Sequence, residues 1–214
     1  MPSDGMLPAD ESESAAVLFR IRCQLRRIPF LASKFWGKGS SMNAKKIAVD
    51  AMLAAMCAAL GYVAIDLLAV KVTFESLPVL VGALMFGPIH GMAIGAVGTF
   101  IYQILRYGFS YTTVLWMLPY ILCGLAAGLY AHAKHYELPR RGTLIAVLLC
   151  ELMITALNTG VIYIDSKIYG YYTPQLILGA LAARIGIAVA KGILFGLIIP
   201  EIISRVKAVA RTGK

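Results

Sequence analysis

The residues of this chain that could do chemistry are few, and they sit in apolar surroundings. Glu151, Thr155 and Asn158 recur at i, i+4 and i+7, so on a helix they form one polar stripe; Arg184 and Lys191, also seven apart, share a face of a later apolar run. A charge within hydrocarbon is expensive and is retained mostly for a ligand, a pathway or a partner. Two readings follow. Either Glu151 and Arg184 form an ion pair that fixes helix register, or Asn158 and Arg184 touch a solute. Counted from Gly142 and from Pro174, Glu151 and Arg184 lie about 13 Å and about 15 Å into antiparallel helices, at similar depth.

A second group lies in connections between apolar runs. Lys71, Phe74 and Glu75 precede one short run, Arg106 and Trp116 flank another connection, and Lys167 and Tyr169 belong to Asp165-Ser166-Lys167-Ile168-Tyr169-Gly170-Tyr171-Tyr172. Both charge signs beside stacking surfaces suit capture of a planar heterocycle. Catalytic patterns are missing: there is no Gly-x-Ser-x-Gly elbow and no His-Glu-x-x-His helix. His132 and His135 have no nearby Cys or carboxylate pair. Cys23, Cys57, Cys123 and Cys150 are isolated and read as packing residues. Around Lys191-Gly192 the phosphate-loop pattern lacks its second glycine before the lysine and its following Ser or Thr. No enzyme, cofactor or metal is therefore expected, and uphill movement of any solute must draw its energy from elsewhere.

The elements that position these residues follow from composition. The 214 residues are 59% hydrophobic and 14% charged, with mean hydropathy +0.76, which excludes an ordinary soluble domain. A spanning helix takes about 20 residues, so six or seven crossings fill the chain and leave no room for an ATP-binding domain. The first fifteen residues are acidic without a basic residue, unlike a secretory signal, so the first apolar run is expected to remain as a transmembrane helix. Apolar runs predict helices over 43–70, about 77–87, 89–107, 112–133, 142–164 and 174–205. The second, bounded by Pro78 and Gly87-Pro88, covers only about 16 Å, so residues 71–76 before it should dip into the membrane beside a watery cavity.

Twenty Lys and Arg stand against eleven Asp and Glu, for a net charge of +9. In so apolar a chain this excess points to membrane orientation rather than to nucleic acid. With both termini cytoplasmic, 15 basic residues fall on the inner side, and Lys71, Arg106 and Lys167 share the outer one. The expected fold is thus an all-α membrane protein, a six-transmembrane-helix bundle over 42–214 in a bacterial plasma membrane. Residues 1–41 precede it as a cytoplasmic extension, disordered or lying on the lipid surface.

Small residues line these helices at four-residue spacing: Ala51, Ala55 and Ala59, with Ala54 and Ala58 beside them, then Gly87, Gly91 and Gly95, then Gly124 and Gly128. Such rows let helix backbones approach closely in lipid. Together with Leu77-Pro78-Val79-Leu80-Val81-Gly82-Ala83-Leu84-Met85-Phe86-Gly87-Pro88 and the six-helix pattern, they resemble the substrate-binding S components of energy-coupling factor (ECF) vitamin transporters.

That resemblance implies a subunit that binds a vitamin or precursor near the external face. It implies as partners a transmembrane coupling subunit, met by Ala51, Ala55 and Ala59, and two cytoplasmic ATPase subunits. Lys71, Phe74, Glu75, Trp116, Asn158, Lys167 and Arg184 become the implied ligand residues, and Arg106 and Tyr169 join them from the outer-loop reading. Leu157-Asn158-Thr159 is similar to the folate subfamily, whereas Tyr111 to Trp116 stand where that subfamily carries Pro-Gly-Phe-Thr. Two other readings of the same residues are an autonomous channel or facilitator, with a full aqueous path lined by Glu151, Asn158, Arg184 and Lys191, and an intramembrane enzyme dependent on Glu151.

Overall fold

The computed structural model describes residues 44–67, 70–175 and 179–212. The expected extension 1–41 and Cys23 lie outside them. Among the described residues six long helices form: α1 (Ala44–Tyr62), α2 (Ser76–Phe86), α3 (Pro88–Tyr107), α4 (Thr113–Ala133), α5 (Arg140–Tyr169) and α6 (Leu181–Thr212). Between α1 and α2 stands an antiparallel hairpin of β1 (Ile65–Leu67) and β2 (Val70–Val72), with Ile65 opposite Val72 and Asp66 opposite Lys71.

Four boundaries differ from expectation; among them, α5 runs on to Tyr169 rather than ending near Ile164, and α6 to Thr212 rather than near Arg205. The first helix ends at Tyr62 rather than near Val70, because Ile65, Leu67, Val70 and Val72 alternate with polar residues at the two-residue period of a strand. The last long helix begins at Leu181, not Pro174; Pro174 and Gln175 open a separate helical turn. By length and composition four helices among the described residues, α3, α4, α5 and α6 as far as Val206, can cross a membrane. Eleven-residue α2 cannot. Nineteen-residue α1 is about 28 Å long but carries Lys45, Lys46 and Asp50.

Close helix contact is made possible by glycine. A Cβ on Gly124 would lie 2.4 Å from the Gly91 backbone, so α3 and α4 cross there with no side chain between them. The main buried cluster joins α2, α4, α5 and α6 through Leu80, Leu84, Cys123, Ala127, Val147, Phe195 and Ile199. On α1 the small-residue rows separate: Ala54 and Ala58 are buried, whereas Ala51, Ala55 and Ala59 are exposed together with Met52 and Met56. Asp50 on the same helix holds His90 of α3, with Oδ2 2.5 Å from Nδ1.

Candidate functional site

The hairpin end of the bundle contains a cavity of about 570 Å³, walled by the segment before α2, the end of α3, the start of α4, the second half of α5 and the start of α6. Its existence follows from the shortness of α2. Because that helix supplies only three turns, residues 73–75 enter the bundle as non-helical chain, and such backbone must be covered by protein or face a watery space. Glu75 marks the depth reached: it is 3% exposed and accepts a hydrogen bond from the hydroxyl of Tyr120, seven residues and about 10 Å into α4. Thr73 Oγ1 donates to the same carboxylate oxygen over 3.0 Å. Asn158 of α5 lines the same cavity. A Cβ on Gly61 would come 2.7 Å from Glu75 Oε2 and 2.9 Å from the Tyr102 ring; only glycine leaves room for both against α1.

The inner end of the cavity is closed by charge. Lys191 Nζ lies 3.1 Å from Glu151 Oε2, with the carboxylate side chain 1% exposed. The expected Glu151–Arg184 pair is thereby corrected. With α6 beginning at Leu181, Arg184 sits in its first turn, and Lys191, about two turns deeper, is the residue level with Glu151. The same antiparallel register sets Arg184 level with Asn158, seven residues outward on each helix. Beyond Lys191 the α6 face turns from cavity wall into core at Phe195, whose ring centroid is 5.6 Å from the ammonium.

Between these charges the α5 wall offers lone pairs. Thr155 Oγ1 donates back to the Glu151 carbonyl over 3.0 Å, and Thr159 Oγ1 to the Thr155 carbonyl over 2.8 Å. Toward the mouth, Asp165 accepts a hydrogen bond from the Tyr171 hydroxyl; burial first, then that bond, pushes the phenol up to about 12. Tyr107, Trp116 and Tyr169 add aromatic surface there.

Of the residues expected at a ligand site, Glu75, Trp116, Asn158, Tyr169 and Arg184 line this cavity. Three expected residues with described side chains are not among its walls. Phe74 turns into the core, 6.1 Å from the Phe195 ring. Arg106 donates from Nη1 to the Tyr62 carbonyl at 2.9 Å, satisfying the end of α1. Lys167 lies 4.3 Å over the Tyr172 ring and 5.8 Å from that of Tyr163. Lys71 belongs to β2, and its side chain is outside the described part. Tyr102, Gln103 and Tyr120 line the cavity without having been expected there. Their signal was polarity inside apolar runs, and Gln103, 7% exposed, is the plainest case. Among the described residues no group of three His, Cys, Asp or Glu is placed to hold a metal.

A model of the family described as "ECF transporter, substrate-specific component" matches residues 45–206. No curated protein sequence matches the chain. The fold is similar to a solved structure of the S component of a bacterial ECF transporter, at 17% identity and a TM-score of 0.55. The match covers 78% of this chain and 97% of that one.

Proposed function

The chain belongs to the substrate-specific components of ECF transporters, and from that premise we propose that its cavity captures one molecule of a water-soluble vitamin or vitamin precursor at the external face of a bacterial cell membrane. The observation that carries this reading is the cavity itself. Its volume of about 570 Å³ falls within the range of small-molecule sites, about 300–1,000 Å³, and its walls combine aromatic surface with a few buried polar groups. The lopsided basic residues favour cytoplasmic termini, which puts the cavity mouth outside.

Movement inward is assigned to partner subunits. A transmembrane coupling subunit would dock on the exposed Ala51, Ala55 and Ala59 face of α1, and two cytoplasmic ATPases would drive release. Small residues at that spacing, outward-facing on a membrane helix, suit close backbone contact with another helix. The chain performs capture without catalysis. Native mass spectrometry of the detergent-purified protein tests this: one bound small molecule per chain, chemically unchanged, is expected. A chain that stays empty after growth in rich medium, or that releases a converted product, would overturn it.

A further inference from the structure

Two buried acceptor atoms, on cavity-lining residues that share one face of α5, have no hydrogen-bond donor in the protein. Lys191 takes Oε2 of Glu151, while Oε1 has no hydrogen-bond partner, in a side chain 1% exposed. Seven residues on, Asn158 Oδ1 is likewise buried and unmatched. Thr155 and Thr159, lying between, have spent their hydroxyl protons on backbone carbonyls. Charge agrees with this polarity: Glu75, Glu151 and Asp165 outnumber Arg184 and Lys191 among the walls.

Buried acceptors left without donors carry their full desolvation penalty, which an occupant removes only by supplying N–H or O–H groups. Aromatic walls add a preference for a flat occupant. Resting on the solute-capture reading above, we infer that the captured solute is a planar amino-substituted nitrogen heterocycle, neutral or singly cationic, whose N–H donors meet Glu151 and Asn158. Residues seven apart lie about 10 Å along a helix, so a solute of two-ring length reaches both. A carboxylate vitamin without such an edge brings a further negative charge to walls already rich in carboxylates. Of a folate-like molecule, the pterin end is the part that matches.

Calorimetric titration of the purified full chain distinguishes these classes, with thiamin and 6-hydroxymethylpterin as amino-heterocycles and nicotinate and lipoate as carboxylates that carry no N–H or O–H donor. At least one heterocycle should bind 100-fold or more tighter than either carboxylate. Methylating both hydrogens of its exocyclic amine should cost at least tenfold, a change made on the ligand that leaves the protein intact. Tighter binding of nicotinate or lipoate, or equal affinity for the dimethylated compound, overturns the donor-edge assignment and leaves solute capture standing. If neither heterocycle binds and the co-purifying molecule lacks N–H donors, the assignment is overturned as well. Silence from all four, together with a protein that is empty by native mass spectrometry, overturns capture itself.

Discussion

Lys191 Nζ stands 3.1 Å from Glu151 Oε2 at the point where the α5–α6 seam changes from cavity wall to packed core. The pair fixes the antiparallel register of the two helices, and with it the level of every polar residue toward the mouth. Two charges that would each be costly alone are thereby made compatible with an apolar bundle, while the second oxygen of Glu151 is left without a hydrogen-bond partner in the protein.

Removing either partner should therefore be worse than removing both. Lys191→Met leaves a buried carboxylate uncompensated and should destabilise the purified protein by about 3–5 kcal/mol. The double variant Lys191→Met/Glu151→Gln should recover at least half of that in thermal melts. Additive losses in the two single variants and their combination would show that the groups do not act as a pair.

Tyr120→Phe breaks the link between α4 and Glu75 without changing shape. It removes a donor from a buried carboxylate, which costs about 1–3 kcal/mol. We expect lower stability and a roughly tenfold weaker grip on the captured solute, read by calorimetry. Glu75, a cavity wall, loses one of the contacts that hold its carboxylate, so affinity should fall even where melting is restored by lipid. Wild-type affinity in the variant would remove Tyr120 from any orienting role.

Ala55→Trp places a bulky ring on the exposed face of α1, away from the buried Ala54 and Ala58. Solute affinity should stay within about twofold of the parent, whereas the coupling subunit should no longer co-purify. Unchanged co-purification would move the docking surface elsewhere.

Much of the architecture was legible because hydropathy and turn residues mark helices directly: α3, α4 and the short α2 fall within a residue or two of expectation. The hairpin was obscured by a lack of contrast. Ile65 to Val72 is as apolar as the helix before it, and only the alternation of Asp66 and Lys71 betrays strands. The partner of Glu151 was misassigned for a related reason. Pro174 looks like the first residue of a long helix, yet α6 starts seven residues later, and that shift of two turns exchanges Arg184 for Lys191. Residue type also says nothing of reach. Arg106 and Lys167 carry the charge a ligand site could use, but one closes the end of α1 and the other lies over tyrosine rings.

Capture without autonomous transport is tested most directly in lipid vesicles containing the purified chain alone or together with its coupling subunit and ATPases. The chain alone should bind solute at one per protein and accumulate none inside, with or without ATP; the full assembly should accumulate it only when ATP is supplied. Uptake by the chain in vesicles that lack every ATPase would contradict this and would make it a transporter in its own right.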